Sequence, residues 1–213
     1  MALVLVLAGG WVIFSSTFFG VRDVEVSGAK VVAVQQVREA VALGPDDSLA
    51  AVNLADVTKR VEALPPVAKA TVTRSWPGTL QVQITERTPV ATVQVDGAPW
   101  AIDAEGMPYV EATALGNDSA ALLPLEVAAP SPDDLATREA VTVITGLDDK
   151  TREIVDRVTA TSAAQVTLML KDGRQVIWGD SSKMNDKLTM LAGVLEHPGS
   201  IFDISSPTAI VIK

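Results

Sequence analysis

The sequence predicts an α+β protein with three parts: a single transmembrane helix, a β-α-α-β-β domain, and a mixed β-rich domain with two helices. Three observations lead to this prediction. Residues 1–21 contain no ionisable side chain, residues 22–89 show strand and helix periodicities in the stated order, and residues 90–213 are dominated by period-two patterns. We therefore expect domain boundaries after residues 21 and 89.

The composition excludes several classes of protein. The chain has 213 residues, a formal net charge of −9 and no cysteine, and its one histidine is His197. Nucleic-acid-binding proteins concentrate lysine and arginine, which this chain does not do. Without cysteine there are no disulfides, thiol nucleophiles or thiolate-bound metals, and a single histidine leaves few other metal sites. We expect no nucleic-acid partner, no cofactor and no small-molecule substrate.

The charge-free stretch, residues 1–21, has the length of a membrane-spanning helix. At about 1.5 Å of helical rise per residue it covers roughly 30 Å, the thickness of the hydrocarbon core of a bilayer. A cleaved signal peptide is one alternative, but Phe18-Phe19 directly follows Ser15-Ser16-Thr17 and fits a cleavage site poorly. A buried core helix is another, and Gly9-Gly10 in its middle disfavours it. We predict an uncleaved membrane anchor.

Residues 22–89 carry the patterns of a three-stranded sheet and two helices. Strand, helix, helix, strand and strand periodicities follow one another, at residues 23–26, 34–41, 54–64, 70–73 and 80–85. Between the last two strands, Trp76-Pro77-Gly78 predicts a type II turn, with proline at its second and glycine at its third position. Two helices that cover one face of such a sheet form a POTRA-like arrangement.

Residues 90–213 are predicted to be mostly β with two helices. Asp96-Gly97 indicates a tight hairpin, and Asp103-Ala104-Glu105-Gly106 indicates a second turn. Residues 111–134 are expected to form a long loop with a short apolar cluster at 122–125, and Ser131 is expected to cap a helix that ends at Gly146. The second helix covers residues 184–195, and the strands are predicted at 92–95, 98–102, 154–159, 165–170, 175–178, 200–204 and 209–212.

The net charge is distributed unevenly along the chain. Residues 22–89 contain eight basic and eight acidic residues, whereas residues 90–213 contain nine basic and eighteen acidic ones. The entire net charge of −9 therefore belongs to the second of these segments. Such an asymmetry indicates separate surfaces, and the acidic one favours partners that present basic residues.

The most specific pattern lies in residues 64–91. It reads Leu-Pro-Pro-Val-Ala-Lys-Ala-Thr-Val-Thr-Arg-Ser-Trp-Pro-Gly-Thr-Leu over residues 64–80 and Glu-Arg-Thr-Pro-Val-Ala over residues 86–91. In these residues the chain resembles the FtsQ/DivIB family of bacterial cell-division proteins. Shorter matches occur in the expected order at residues 24–28, 102–106, 123–125, 170–173 and 202–204. The resemblance implies a bitopic protein, with a POTRA domain at residues 22–89 and a β domain at residues 90–213, both outside the cytoplasm.

Six residues carry the POTRA and hinge signature of that resemblance: Arg74, Trp76, Pro77, Glu86, Arg87 and Pro89. Hinge and hairpin architecture is the favoured interpretation of these residues, and direct contact with a partner is the alternative. Arg74 shares the strand parity of Ala70 and Val72, so its stem is expected along the covered face or the edge of the sheet, with a partner for its guanidinium. No Arg74–Glu86 pair is expected, because Arg74 lies near the hairpin turn and Glu86 far from it.

No pattern in the sequence indicates catalysis. Asp46-Asp47, Asp133-Asp134 and Asp148-Asp149 are adjacent carboxylates, which point in different directions on a helix and suit helix capping better than metal binding. His197 precedes Pro198 at a predicted helix end, where its charge would favour the helix dipole. Nucleophile-elbow, phosphate-loop and dinucleotide patterns are missing from the sequence. We predict a protein that is not an enzyme.

The end of the chain suits strand addition. Residues 208–213 are apolar and β-prone, and an unpaired sheet edge invites a strand from a partner. The resemblance implies that this edge receives FtsB, called DivIC in DivIB systems, with FtsL bound alongside. The segment as a whole is the predicted partner site: Thr208, Ala209, Ile210, Val211, Ile212 and Lys213. A last strand paired within its own sheet is the alternative for any one of these residues.

The function implied by the resemblance is a scaffold of the divisome in the cell membrane at the septum. It would help to control septal peptidoglycan synthesis through protein contacts, with further division proteins bound by the POTRA domain and the anchor. Two other functions remain as alternatives. One is a POTRA-bearing component of an outer-membrane transport or assembly machine, which the lack of barrel-strand patterns disfavours. The other is an anchored cell-wall enzyme.

Overall fold

The computed structural model describes residues 20–206 and the short strand Val211–Ile212. It divides into two compact units, with the boundary between Arg87 and Thr88, which we call the N-terminal unit and the C-terminal unit. The predicted anchor, residues 1–21, lies outside the described residues except for its last two. Among the described helices, none combines the length and apolar character that a membrane span requires.

The N-terminal unit is a three-stranded sheet with two helices. Strand β1 (Asp23–Ser27) pairs in parallel with β3 (Thr79–Glu86), and β3 pairs antiparallel with β2 (Val67–Ser75), which gives the order β1-β3-β2. Helices α1 (Val34–Val41) and α2 (Leu54–Glu62) connect β1 to β2. The predicted β-α-α-β-β order is confirmed.

One face of this sheet is buried under the helices. The core contains apolar residues of both helices and of the strands, among them Val37, Val41, Val57, Val61, Ala70, Val72, Leu80, Val82 and Ile84. The alternate residues of β2 and β3, such as Thr71 and Gln83, are exposed. Because side chains alternate between the faces of a strand, the period-two pattern of the sequence maps directly onto this division.

The β2–β3 hairpin turns through Trp76, Pro77 and Gly78, with Ser75 opposite Thr79. The peptide bond between Trp76 and Pro77 is cis. A type II turn needs a positive φ at its third position, which Gly78 does not have, and a cis proline is typical of type VI turns, so the predicted turn type is wrong, although the hairpin lies where the sequence placed it. The physical reason is that an X-Pro bond has only a small intrinsic preference for trans, which the surroundings of the tip can reverse.

The C-terminal unit is built on one nine-stranded mixed sheet with the order β12-β11-β10-β9-β8-β7-β4-β5-β6. Its strands are β4 (Ala91–Val95), β5 (Ala98–Ile102), β6 (Pro108–Glu111), β7 (Leu123–Glu126), β8 (Val155–Ser162), β9 (Gln165–Leu170), β10 (Gln175–Gly179), β11 (Ile201–Asp203) and β12 (Val211–Ile212). Its helical segments are a 3-10 helix (Ala112–Ala121), α3 (Leu135–Gly146), α4 (Asp149–Ile154) and α5 (Met184–Val194).

The core of the C-terminal unit lies on the face of the sheet that the helices cover. Helix α3 packs against β8 and β9. Successive strands contribute Leu125, Val158, Leu168, Val176 and Phe202 to this core, together with the fully buried Trp178. The β4–β5 hairpin is confirmed at Asp96-Gly97, whose positive φ angles of 50° and 82° match the residue types that such a tight turn needs.

Two predictions for this unit are wrong in part. Residues 111–134 are not one long loop, because they contain the 3-10 helix and strand β7. Strand β7 lies inside the sheet, parallel to both β4 and β8. A four-residue strand shows too little periodicity to be recognised, and its partners come from distant parts of the chain. The described part of the chain also has three α-helices in this unit rather than the predicted two, since the six-residue α4 was missed.

The predicted cap of α3 is also wrong. Asp134, not Ser131, is the N-cap, and its Oδ2 accepts hydrogen bonds from the Thr137 amide at 2.8 Å and the Thr137 hydroxyl at 2.6 Å. Ser131 instead accepts a bond from the Asp134 amide through its carbonyl, at 3.1 Å. The helix therefore starts later than expected, because the carboxylate nearer to the apolar helix face satisfies its free amides.

We expect Asp134 to give the C-terminal unit an acid-dependent stability. The Thr137 hydroxyl, and then the Thr137 amide, lower the pKa of the Asp134 carboxyl below its ordinary value of 3.8. A lowered pKa in the folded state stabilises the fold above pH 3.8, and this stabilisation is lost as the pH falls further. Asp134→Ala should cost about 1 kcal/mol at neutral pH, whereas Asp134→Asn keeps a cap and loses only the pH dependence.

Chemical unfolding of the full chain at pH values between neutral and 3 measures this effect. The matched control is Asp133→Asn, which changes the neighbouring exposed carboxylate. Equal acid sensitivity in Asp134→Asn and the parent chain would contradict the assignment.

Candidate functional site

The six signature residues do not form one site. Arg74, Trp76 and Pro77 lie at the turn of the β2–β3 hairpin, whereas Glu86 lies at the far end of β3, opposite Val67. At about 3.3 Å per residue, the eight-residue β3 separates the two groups by roughly 23 Å. Arg74 and Glu86 accordingly bind different groups, as the sequence predicted.

Arg74 joins strand β2 to the loop between the two helices. Its Nε donates to the carbonyl of Leu49 at 2.6 Å and its Nη2 donates to the carbonyl of Val52 at 2.5 Å. The planar fork of a guanidinium suits two neighbouring acceptors of this kind. The expected placement of its stem on the covered side of the sheet is confirmed, and its observed role is structural.

Glu86 binds a row of three consecutive backbone amides in the loop after β1. Its Oε1 accepts from the amides of Lys30, Val31 and Val32 at 2.8, 2.9 and 2.9 Å, and its Oε2 accepts from Val31 at 3.1 Å. Consecutive amides that converge in this way form a nest that binds anionic groups. The carboxylate of Glu86 thus holds the β1–α1 loop against the end of β3.

Gly28 shapes the entry to that loop. Its φ is +85°, and a Cβ at this position would lie 2.1 Å from the carbonyl oxygen of Ile84. Both the backbone conformation and the close approach therefore require glycine. The sequence did not predict the amide nest. The available signal for the nest was a glycine followed by a loop with few polar side chains. This signal does not identify the carboxylate that binds there.

Arg87 and Pro89 lie where the chain leaves the N-terminal unit. The Nε of Arg87 donates to the carbonyl of Pro65 at 3.0 Å, and its amide donates to the carbonyl of Pro66 at 2.8 Å. Arg87 therefore ties the end of β3 to the segment before β2. Pro89 belongs to the short connection between β3 and β4, and a hinge motion there stays a prediction.

The predicted partner segment lies at an edge of the nine-stranded sheet. Phe202 of β11 is opposite Ile212 of β12, and Asp203 is opposite Val211. Among the described strands, β11 alone pairs with β12. The other four residues of the predicted segment lie outside the described residues: Thr208, Ala209, Ile210 and Lys213. An edge strand has one row of backbone groups directed away from its own sheet.

Buried contacts hold β11 in position beside this edge. Phe202 is fully buried, and the guanidinium of Arg174 lies 5.7 Å from the centre of its ring. Arg174 also donates from Nη1 to the carbonyl of Leu195 at 3.0 Å. The amide of Ile204 donates to the carbonyl of Ile177 at 3.0 Å, which continues the parallel pairing with β10. The strand that supports β12 is thus fixed by the core.

A compact turn follows β11 and leads towards β12. The Oδ1 of Asp203 accepts from the Ser205 amide at 3.0 Å and from the Ser205 hydroxyl at 2.7 Å. A Cβ on Gly179 would lie 2.8 Å from the Cβ of Ser205, so the turn packs closely on the end of β10. These contacts fix residues 203–205 against the end of β10.

A buried lysine secures the loop after β10. Lys187 of α5 is fully buried, and its Nζ donates to the carbonyl of Asp180 at 2.9 Å and to its Oδ1 at 3.1 Å. The Ser182 hydroxyl, followed by Lys187, lowers the pKa of the Asp180 carboxyl. The sequence analysis missed this pair. The available signal was a lysine three residues after Met184 and four before Leu191, on the apolar face of the helix.

Two of the three pairs of adjacent carboxylates provide a helix cap, whereas Asp47 instead accepts a hydrogen bond from the Gly44 amide at 2.8 Å in the loop between α1 and α2. Asp134 caps α3, and Asp148 caps α4 by accepting from the Thr151 amide at 2.8 Å. In the part of the chain that the structure describes, no three potential ligands converge into a metal site. His197 lies at the end of α5, with Nδ1 3.1 Å from the carbonyl oxygen of Gly193.

Two family models match the chain. The model of the FtsQ-type POTRA domain matches residues 19–87, and that of the C-terminal part of the cell division protein FtsQ/DivIB matches residues 91–206. The second match alone covers more than half of the chain. The interval between the two matches contains the boundary between the N-terminal and C-terminal units.

Curated relatives match over nearly the whole chain. The chain is 35% identical over 210 residues to the cell division protein FtsQ of Mycolicibacterium smegmatis. The aligned region covers 99% of this chain and 62% of that protein. The FtsQ of Mycobacterium tuberculosis H37Rv is 31% identical over 204 residues, 96% of this chain and 64% of that protein. The FtsQ of Streptomyces bingchenggensis is 33% identical over 207 residues, 93% of this chain and 78% of that protein.

The chain therefore spans less than two thirds of the two mycobacterial relatives. Both units nevertheless match their family models in the same order, and the α+β fold with a POTRA-like unit followed by a β-rich unit agrees with them. On these grounds, the chain belongs to the FtsQ/DivIB family of bacterial cell-division proteins.

Proposed function

We propose that this protein is a bitopic membrane scaffold of the bacterial divisome, which binds FtsB or DivIC together with FtsL and helps to control septal peptidoglycan synthesis. The single observation that supports it most is the position of β12 at the edge of the large sheet in a chain of this family. We further propose residues 1–21 as the membrane anchor, residues 22–89 as the POTRA domain and residues 90–213 as the partner-binding β domain.

The proposed location is the cell membrane at the division septum, with both folded units outside the cytoplasm. The charge-free composition and length of residues 1–21 support the anchor. The POTRA domain and the anchor would bind further division proteins. The match to an FtsQ-type POTRA model favours this role over that of an outer-membrane assembly component.

Strand addition to β12 is the proposed mode of partner binding. A partner strand would form main-chain hydrogen bonds with the outer row of β12, and its alternate side chains would provide specificity. The contacts of Phe202, Asp203 and Ser205 support β12 from the inside of the sheet. Because β12 is already supported at the edge of the sheet, a partner strand would bind to it without a large rearrangement of the C-terminal unit.

The acidic surface of the C-terminal unit supports a basic partner. Several of its cations are already engaged internally: Arg157 pairs with Glu126 and Asp156, Lys171 donates to the Glu153 carbonyl, and Lys187 is buried. Most of the carboxylates of this unit are exposed, so its excess of negative charge faces solvent. Such a field steers an oppositely charged partner at low salt and weakens as salt screens it.

The role proposed here consists of protein contacts and no chemistry. The groups most suited to acid–base work have structural partners in the described chain, since Glu86 fills an amide nest and Asp134 and Asp148 cap helices. Control of peptidoglycan synthesis would therefore act through the enzymes that the complex recruits.

We expect a photo-crosslinking residue at Ile210 or Val211 to label an FtsB- or DivIC-type protein in dividing cells, with FtsL in the same complex. Val110 on β6, at the opposite edge of the same sheet, is the matched control and should label neither. Mass spectrometry of the adducts identifies the partners. Adducts at Val110 or elsewhere on the C-terminal unit, with none at residues 210 and 211, would overturn the proposed site.

A further inference from the structure

Trp76 is an exposed aromatic residue at the turn of the β2–β3 hairpin. It has 54% of its surface accessible, and it is the one aromatic among the large exposed hydrophobic residues of the described chain. Trp178, by contrast, is fully buried in the core of the C-terminal unit. Arg74, Glu86 and Arg87 bind backbone groups of the N-terminal unit, whereas more than half of the surface of Trp76 is accessible to solvent.

The hairpin tip is bonded to the point where the described chain begins. The carbonyl of Gly78 accepts hydrogen bonds from the amides of Arg22 at 2.7 Å and Asp23 at 3.3 Å. A Cβ on Gly78 would lie 2.9 Å from the carbonyl oxygen of Gly20. Backbone contacts on both sides of Val21 thus hold the tip against the residues that follow the charge-free segment.

This contact sets the distance between Trp76 and a membrane that holds the anchor. The inference rests on the proposed function, in which residues 1–21 span the bilayer and Gly20 lies at its surface. The headgroup layer of one leaflet is about 5–8 Å thick. Trp76 is two residues from Gly78, hence within about 7 Å of it along the chain. The headgroup layer is therefore within reach of the indole.

The chemistry of the tip suits that layer. Tryptophan is enriched at membrane interfaces because its ring is apolar and its N–H can remain hydrated. The stem of Arg22 packs on the tip, with Cγ and Cδ 3.3 Å from the Cβ position of Gly78, and a basic head on an apolar stem favours the same depth. Asp46 and Asp47 lie in the adjacent loop, which bonds to Val21, so charge attraction to anionic lipid is not the driving force.

We propose that the hairpin tip Trp76-Pro77-Gly78 docks into the headgroup layer of the bilayer, with the Trp76 indole as its principal contact. The anchor and the tip then attach the N-terminal unit to the membrane at two points. A second point of attachment limits rotation of this unit about the connection at Gly20. The ligand is the lipid interface itself, and a zwitterionic phosphatidylcholine bilayer is sufficient for binding.

Fluorescence quenching in vesicles tests the proposal on the full chain. Because the chain has no cysteine, a single introduced cysteine can be labelled uniquely. Ser75→Cys places a fluorophore beside the tip and leaves Trp76 intact. Gln83→Cys is the matched control, on an exposed position of β3 about 16 Å from Gly78. Both labelled variants are reconstituted into phosphatidylcholine vesicles in which a fraction of the lipid carries a nitroxide quencher on its headgroup. Flotation of the vesicles measures whether each variant is attached to the membrane.

The expected result is flotation of every variant and quenching at position 75 at least about twofold stronger than at position 83. Adding Trp76→Gln to the Ser75→Cys chain should reduce quenching to the level of the control. Chains that float with equal quenching at both positions would overturn the docking and leave the anchor intact, and would point to a protein as the ligand of Trp76. Quenching unaffected by Trp76→Gln would overturn the role of the indole. Chains that fail to float would overturn the anchor and the docking together.

Discussion

Replacing Glu86 by glutamine is expected to destabilise the N-terminal unit by about 2–3 kcal/mol. The carboxylate accepts hydrogen bonds from the amides of Lys30, Val31 and Val32. Among the described residues, no other acceptor is seen for these three amides. A glutamine can place one oxygen where Oε1 accepts from the three amides, but its NH2 group then replaces Oε2, which accepts from the Val31 amide at 3.1 Å, and the negative charge is lost. Hydrogen bonds to a charged group are worth more than neutral ones, and donors that lose their acceptor keep their desolvation cost.

Unfolding in urea and hydrogen exchange of the loop that contains residues 30–32 measure this effect. Faster exchange should be concentrated in that loop, because the nest opens there first. The control is Glu39→Gln on α1, an exposed carboxylate that accepts a hydrogen bond from the Gln35 side chain at 3.2 Å. If Glu86→Gln and Glu39→Gln have equal stability and equal exchange, the nest does not support the fold.

Proline in β12 is expected to weaken binding of the FtsB- or DivIC-type partner at least about tenfold in Kd. Proline has no N–H to donate and has a fixed φ. Consecutive amides of a strand point to opposite sides, so Val211→Pro and Ile212→Pro together test both rows. One substitution removes a bond to β11 and the other removes a bond that the partner would use.

Titration of the full chain in nanodiscs with a purified partner measures Kd for each variant. Val110→Pro on β6 places the same residue at the opposite edge of the sheet and should leave Kd unchanged. Near-ultraviolet circular dichroism establishes whether the tertiary structure is retained, since Trp178 lies in the same sheet. Parent-like Kd values for both β12 variants would eliminate strand addition at this edge.

Local patterns in the sequence predicted much of the fold. The alternation of apolar and polar residues in β2 and β3 located both strands and their buried face, and Asp96-Gly97 located the β4–β5 hairpin. The apolar stripes at residues 34–41 and 54–64 located α1 and α2. Each of these features is expressed within a few residues, so neighbours in sequence are enough to specify it.

The candidate sites were predicted less completely. The edge position of β12 agrees with the prediction for the end of the chain, yet the turn at Asp203 and the buried Lys187 that support this region were not foreseen. The sequence motif identified Glu86 as a signature residue, but it could not identify the groups that Glu86 binds. The amides that it binds are 54 to 56 residues away in sequence, and a backbone amide has no side-chain identity to recognise.

The sequence by itself determined the family, the β-α-α-β-β order and the concentration of negative charge in the second half of the chain. Only the tertiary structure decided that β7 is an internal strand, that Glu86 fills an amide nest and that the bond before Pro77 is cis. The physical reason is the range of the interactions involved. Periodicity, capping residues and charge act within a few residues, whereas strand neighbours, nest ligands and the packing of a hairpin tip depend on groups brought together from distant parts of the chain.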